Sequence, residues 1–166
     1  MHATDILVRA YDDIRDRVAS TVEGLPDDVL ATRPGDRANT IAWLVWHLTR
    51  VQDDHVAGVA GTGQVWTEDG WAERFGLPLD DDDTGYGHSP DDVAKVRASA
   101  DLLTAYHDAV HAKTVGWLRG LSDADLDRVV DQSWDPPVTL GVRLYSVVGD
   151  DLQHVGQAAY ARGLLA

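Results

Sequence analysis

The chain has 166 residues, 44% of them hydrophobic, and its 14 basic and 28 acidic residues give a formal net charge of −14. This length suits one domain spanning residues 1–166, and the acidic balance argues against nucleic acid or an anionic membrane as a partner, since both need a face rich in lysine and arginine. The chain has no cysteine, which excludes disulfides, zinc–thiolate sites and a cysteine nucleophile.

The first two predicted helices are amphipathic. The first covers about residues 4–24, where apolar residues recur every three or four positions and charged residues occupy the other face. The second opens at Asn39 or Thr40, either of which can cap the free amide groups at a helix start. It runs towards Gly58 or Gly61.

The last two predicted helices also have start signals. Ser89 is a capping serine followed by Pro90 at the first helical position, and the apolar pattern continues from there to about Arg119. The fourth helix is predicted to begin near Thr139 and to run to Gly163.

Four such helices define the expected fold. Each has roughly 20 residues and can bury one apolar face in a shared core. Alternating runs at 129–130 and 137–138 are too short to predict strands of any importance. The sequence therefore predicts an all-α fold, an antiparallel four-helix bundle.

A long connection at residues 59–88 joins the second and third predicted helices. It is rich in tryptophan and glycine, and it includes the acidic run Asp80–Asp83. Connections of this length are usually functional or disordered. The aromatic residues indicate either a folded flap over one end of the bundle or a cover for the core, and the acidic run indicates a solvated turn.

Three residues form a candidate metal site. His47 lies on the same helical side as Leu44 and Val51, which predicts that it points to the core. Asp150 and His154 are one helical turn apart on an otherwise apolar face, where an unpaired carboxylate is costly. A divalent ion bound by all three would satisfy them and keep open coordination positions, as catalytic sites do. The alternative is a polar core that only fixes packing.

Two other groups compete with this site. His107 and His111 are also four residues apart, but they lack an inward carboxylate, so we interpret them as a partly exposed helix face. Asp54 and His55 lie two turns beyond His47 and could reach the site or its surroundings.

Two segments carry a resemblance to a known family. Thr40–Leu48 and Asp150–Gln157 resemble the DinB-like superfamily, in particular its branch of mycothiol-dependent transferases and maleylpyruvate isomerase N-terminal domains. The similarity extends over nearly the whole chain, through the helix order, the long connection and the His-x-Gly-Gln stretch of the last helix.

The resemblance implies a ligand set. In that family a divalent ion, often zinc or nickel, is bound by a histidine of the second helix, here His47, and by two ligands spaced four apart on the fourth. The last of these matches His154. The other position is histidine or glutamate in relatives and is Asp150 here, one methylene shorter than glutamate. Ligation by Asp150 through water, or by Asp151 instead, is therefore the alternative.

The resemblance also implies a reaction. We expect a metal-dependent transferase that activates a low-molecular-weight thiol, mycothiol in particular, for attack on a small electrophile. Arg143, Tyr160 and Arg162 are candidates to hold a carboxylate or hydroxyl of the substrate, although each also fits a packing or surface role. The alternative function is a metal-binding, stress-related protein without turnover.

Location and assembly are predicted only in outline. The N-terminal residues lack the basic and apolar parts of a signal peptide, and no apolar run is long enough to span a bilayer, so we expect a cytoplasmic protein. A homodimer paired through a helix face is possible.

Overall fold

The computed structural model describes residues 2–166, and the predicted helical class is confirmed. Within these residues, no helix is both long enough and apolar enough to cross a bilayer. A 3-10 helix (Asp123–Asp127) and two strands, β1 (Val129–Asp131) and β2 (Val138–Thr139), precede the last helix. The helices in chain order are α1 (Ala3–Val22), α2 (Asp27–Leu30), α3 (Ile41–Ala60), α4 (Val65–Glu68), α5 (Trp71–Phe75), α6 (Pro90–Val93), α7 (Ala100–Leu118) and α8 (Leu140–Leu165).

The long helices α1, α3, α7 and α8 enclose the core. Helix α3 packs against α7 and α8, and α1 packs against the same two helices. Each contributes buried apolar side chains, among them Ile14, Trp46, Leu103 and Leu144. Because α3 is buried along most of its length, polar residues on it must find partners inside the protein.

Capping threonines fix where α3 and α8 begin. The hydroxyl of Thr40 accepts a hydrogen bond from the Trp43 amide (3.1 Å), and Thr139 accepts one from the Val142 amide (3.4 Å). Gly61 ends α3 with a positive φ of 69°, which glycine adopts without steric cost. These caps set the axial positions of all residues that follow on the two helices.

The predicted third helix is wrong as a single element. The structure has a short helix α6 after Ser89 and a separate helix α7 that begins after Ser99. Ser99 has extended backbone angles (φ −73°, ψ 159°), and its hydroxyl accepts a hydrogen bond from the Leu102 amide. A residue in that conformation cannot continue a preceding helix. The break is not visible in the sequence because Val93 and Val96 are buried and continue the apolar pattern up to it.

The prediction that no strand matters is also corrected. β1 and β2 pair in an antiparallel ribbon, with Val129 opposite Thr139. The ribbon leads directly into α8, and its residue Asp131 accepts a hydrogen bond from Arg143 of that helix (3.2 Å). Strands of two or three residues leave too short a pattern to detect in the sequence.

The long connection covers the core with most of its aromatic residues. Trp66, Trp71 and Phe75 are buried around Tyr106 of α7, with ring centroids 5.2, 5.5 and 5.6 Å from it. Tyr86, in contrast, is 93% exposed. The connection therefore has a core-covering half, and a second half whose backbone crosses α3 near His47.

Candidate metal site

The structure brings His47, Asp150 and His154 together. One ligand atom from each lies within 4.8 Å of the others, and within residues 2–166 no other group of three or more such residues does this. His47 comes from α3, whereas Asp150 and His154 lie one turn apart on α8. We call these three residues the His47 centre.

Backbone from the long connection orients His47. Its Nδ1 is hydrogen-bonded to the carbonyl oxygen of Thr84, and because a carbonyl can only accept, Nδ1 carries the proton. The Nε2 lone pair is therefore free to bind an ion. The ring of Trp43 stacks on the imidazole with a centroid distance of 4.5 Å.

Glycine is required where the connection crosses this histidine. Gly85 has a φ of +90°, and a Cβ at this position would lie 2.8 Å from His47 Nδ1 and 3.1 Å from the Trp43 ring. The positive φ and the close contacts of an added Cβ each disfavour any residue larger than glycine here. The backbone can therefore approach the imidazole closely only because position 85 has no side chain.

A side chain on α8 orients His154. Its Nδ1 lies 3.0 Å from Oε1 of Gln157, which accepts the hydrogen bond. Its Nε2 is then the free ring nitrogen, and it lies 3.6 Å from Oδ1 of Asp150. The His47 and His154 rings meet edge to face at 4.8 Å. This arrangement is typical of metal-binding histidines, whose second nitrogen is held by a hydrogen bond.

The electrostatics of the His47 centre favour a cation. Burial lowers the pKa of His47, so its imidazole is neutral at pH 7. Burial alone would raise the pKa of Asp150, but the neighbouring His154 and His47 bring it below its usual value. Burial likewise opposes the charged form of His154, yet Asp150 raises the pKa of that histidine. Oδ2 of Asp150 is buried and has no hydrogen-bond partner.

This donor set fits a divalent cation. Two oriented imidazole nitrogens and one carboxylate oxygen with no protein donor match the ligands that zinc and nickel take in proteins. The set also leaves coordination positions open for a small molecule.

A hydrogen-bonded chain holds the connection against α3. Nε1 of Trp43 donates to Nδ1 of His88 (3.0 Å), and Nε2 of His88 donates to the carboxylate of Asp83 (2.9 Å). The fully buried Arg50 donates to the carbonyl oxygens of Asp83 (3.2 Å) and Asp81 (3.3 Å). The acidic run was predicted to be a solvated turn, but Asp81 and Asp83 are hydrogen-bonded to other parts of the protein.

Comparison with known proteins identifies the family. The family model of the DinB superfamily matches residues 10–158. The chain belongs to the DinB superfamily. This DinB superfamily member is also similar to a solved crystal structure, described as the conserved protein of a locus from Enterococcus faecalis. The two share 32% identity and a TM-score of 0.93 over 99% of this chain and 98% of that one. No curated protein matches the chain.

A pocket of about 520 Å³ lies beside the His47 centre, and His47 and Asp150 form part of its wall. The rest of the lining comes from α3, the long connection and α8, and includes Asp54, His55, Thr84, Tyr86 and Ser146. Asp54 and His55, which were expected to reach the site or its surroundings, thus line the same pocket as His47 and Asp150.

The predicted substrate-binding residues lie in different places. Arg143 donates to Nδ1 of His55 (3.1 Å) and to Asp131, so its guanidinium is already engaged. Arg162 donates to three backbone carbonyls at the C-terminal end of α1. Tyr160 is 72% exposed and lines a different groove, of about 440 Å³.

The competing histidine pair is corrected in one respect. His107 is buried, not part of an exposed face, and its Nδ1 lies 3.0 Å from the hydroxyl of Thr49 on α3. That hydroxyl also donates to the Val45 carbonyl, so it can only accept from His107. His111 contacts Asp12 of α1 (2.8 Å). Neighbouring helices thus supply a different partner to each histidine.

Asp151 does not join the ligand group. It is fully buried, both of its carboxylate oxygens lack a partner, and burial raises its pKa well above the usual value. Burial thus favours the protonated form of this carboxyl group. The pKa of Tyr11 on α1 is also raised, first by its own burial and then by the negative charge that Asp151 carries when it is ionised. The structure therefore places Asp150, and not Asp151, beside the two histidines.

The groups that orient the two histidines were not predicted from the sequence. The spacing of Gln157 three residues after His154 places both on one helix face and could have suggested the contact. The carbonyl of Thr84 has no such signal, because any residue supplies a backbone acceptor. The His88–Asp83 pair depends on the path of a loop and leaves no pattern either.

Proposed function

We propose that this chain is a metal-dependent transferase that activates a low-molecular-weight thiol for attack on a small electrophile. The observation that carries the proposal is the convergence of two free imidazole nitrogens and a partnerless carboxylate oxygen beside a pocket. The proposed setting is an antiparallel four-helix bundle, which the mutual packing of α1, α3, α7 and α8 supports.

His47, Asp150 and His154 would hold the ion, with zinc or nickel as the first candidates. A divalent ion at this position would lower the pKa of a bound thiol and so supply a thiolate at neutral pH. Thr84 and Gln157 keep the imidazole rings in the required tautomer. Because the chain has no cysteine, the sulfur must come from a small molecule.

His55 would act as a donor in the pocket. Arginine has no lone pair, so the contact from Arg143 requires Nδ1 of His55 to accept, and the proton of the neutral ring is then on Nε2. Nε2–H can donate to an electrophile's oxygen or to its leaving group. In a substitution the thiol releases its proton to solvent, sulfur bonds to the electrophilic carbon, and the leaving group departs with the electrons of the broken bond. In an addition to an unsaturated electrophile, the π electrons instead take up a proton from solvent.

The first test concerns the metal. Protein purified without an affinity tag is expected to contain zinc or nickel at an equimolar level by elemental analysis. His47→Ala and His154→Ala should each lose it. His2→Ala serves as the matched control, because His2 is an exposed histidine whose ring is hydrogen-bonded to Asp123 and is not part of the His47 centre. Retention of the metal by both site variants would contradict the ligand assignment.

The second test concerns turnover. Metal-loaded protein is incubated with mycothiol, or with another small thiol, and a panel of alkylating and unsaturated electrophiles. The expected result is a thioether conjugate detected by mass spectrometry, formed faster than with the His154→Ala variant. Full metal content without any conjugate would overturn the transferase proposal and favour a metal-binding protein without turnover.

A further inference from the structure

The pocket beside the His47 centre has an unusual charge composition for a site thought to bind small metabolites. Its described lining includes the carboxylates Asp54 and Asp150, and no lysine or arginine. His47 and His55 are the other ionisable groups besides Tyr86. Many metabolite sites present a cation to bind a carboxylate or a phosphate, and this pocket has none.

Arg143, the arginine that contacts this lining, is committed elsewhere. Its guanidinium donates to Asp131 at 3.2 Å and to His55 at 3.1 Å. The carboxylate of Asp131 offsets its charge, and both contacts use donors that a substrate anion would need. Arg143 therefore does not make the pocket cationic.

Asp54 contributes its carboxylate to the pocket wall. Its Oδ1 accepts a hydrogen bond from the side-chain amide of Gln64 (2.8 Å), which is neutral. Oε1 of Gln64 is in turn held by Arg50 (2.7 Å), so the amide is fixed in this orientation. The contact positions the carboxylate without neutralising it.

A metal ion would not reverse this balance. The two positive charges of a divalent cation equal the two negative charges of Asp54 and Asp150. The chain as a whole carries −14, which further repels anions from the pocket mouth.

We infer that the pocket selects thiols that carry an ammonium or an uncharged hydroxyl group near the sulfur, and discriminates against thiols that carry a carboxylate there. This inference rests on the proposed function, since it concerns the thiol of that reaction. Asp54 is the specificity-determining residue. The Ser146 hydroxyl donates to the Arg143 carbonyl (2.7 Å), so it can accept a hydrogen bond from a ligand hydroxyl, and the Nε2–H of His55 can donate one.

The test compares three thiols of similar size: cysteamine, mercaptoethanol and mercaptoacetate. Their dissociation constants for zinc-loaded protein are measured by calorimetry. Cysteamine should bind roughly tenfold or more tightly than mercaptoacetate, as expected for one charge pair at a partly exposed site. Mercaptoethanol should lie between them.

A substitution separates the effect of the protein from the acidity of each thiol. In Asp54→Asn the ratio of the cysteamine and mercaptoacetate constants should shrink by about fivefold to tenfold, while mercaptoethanol binding stays the same. Asp16→Asn, on the exposed face of α1, removes the same charge elsewhere and should leave the ratio unchanged. Added sodium chloride should also compress the ratio in the unaltered protein, which provides a readout that needs no variant.

The outcomes distinguish this inference from the proposed function. A ratio that is the same in Asp54→Asn and in the unaltered protein, and insensitive to salt, overturns the inference but leaves the proposed function intact. Zinc-loaded protein that binds none of the three thiols overturns both.

Discussion

Two buried polar regions lie within two turns of each other on α3, and they differ in how their polar atoms are satisfied. In the first, which we call the Asp53 centre, the carboxylate of Asp53 accepts hydrogen bonds from the amides of Val65 (2.9 Å) and Trp66 (2.8 Å) and from the Tyr106 hydroxyl (2.9 Å). Arg50 lies 3.9 Å from it. Both Arg50 and Asp53 have their buried polar atoms paired.

The His47 centre has hydrogen-bond acceptors left over. Its imidazoles are oriented by Thr84 and Gln157, but the nitrogens that face the cluster and one oxygen of Asp150 have no partner that satisfies them. Buried polarity alone is therefore a poor marker of function in this protein. The unpaired acceptors next to a pocket distinguish this candidate site from the paired network of the Asp53 centre.

The largest expected effect on stability comes from a substitution that disrupts the Asp53 centre. Asp53→Ala should lower the free energy of unfolding by about 3–5 kcal/mol, because it leaves the buried Arg50 without its carboxylate and frees two backbone amides. Asp150→Ala in metal-free protein should cost less than about 1 kcal/mol, since its carboxylate is partly exposed and its partner is a histidine. Urea unfolding of both variants measures the difference.

If Asp150→Ala is more destabilising than Asp53→Ala in metal-free protein, the Asp53 centre is not the main stabilising polar network of the two. Zinc added to the unaltered protein gives an independent check, because a ligand at 100 times its Kd stabilises by about 2.7 kcal/mol. That gain should be retained by any Asp53 variant that still folds, and it should be absent from Asp150→Ala.

A smaller effect sharpens the distinction within the His47 centre. Gln157→Leu should weaken zinc binding by about tenfold to a hundredfold, because it removes the acceptor that orients His154. The stability of the metal-free protein should change little, since Gln157 is exposed. Competition with a chromophoric chelator measures the affinity.

Gln153→Leu is the matched control for this variant. Gln153 is also an exposed glutamine of α8, but its side-chain amide donates to the Gly149 carbonyl, whereas His154 is hydrogen-bonded to Gln157. Equal zinc affinities for the two variants would rule out a positioning role for Gln157.

A pH-dependent effect concerns His107 of α7, which is buried against Thr49 of α3. Burial lowers the pKa of His107 from 6.5 to about 3. Between these values the unfolded chain binds a proton that the folded protein does not, so stability falls as the pH drops below 6.5. The slope from this residue is at most about 1.4 kcal/mol per pH unit. His107→Gln should have a shallower loss of stability between pH 6.5 and 4, measured by urea unfolding.

Circular dichroism at pH 7 establishes first that the glutamine variant is folded. Parallel pH profiles for the variant and the unaltered protein would mean that His107 binds a proton equally in the folded and unfolded states.

Local spacing was sufficient to group the three residues of the His47 centre. Helix periodicity assigned His47 to the buried side of α3 and placed Asp150 and His154 one turn apart on α8, and the structure brings the three side chains together. The predicted start at Asn39 or Thr40 and the predicted start near Thr139 agree with the observed caps, which are Thr40 and Thr139. These features depend on local spacing, which a single sequence records.

Features that depend on the path of a loop were not accessible. The break before Ser99 was hidden because Val93 and Val96 continue the apolar pattern across it. The Asp53 centre was not predicted, since its carboxylate is satisfied by amides at the start of α4, some twelve residues further along the chain. Tertiary contacts of this kind have no fixed spacing.

The acceptor that fixes the His47 imidazole is a peptide oxygen and not a side chain. Replacing Thr84 by another amino acid would therefore leave that oxygen in place, so its identity is free to drift during evolution. A shift in the length of residues 80–88 would instead carry the oxygen away from the ring. Among relatives of this protein, we therefore expect insertions and deletions in that stretch to be rarer than substitutions at position 84. A constant loop length would keep the carbonyl oxygen next to the imidazole in each of them.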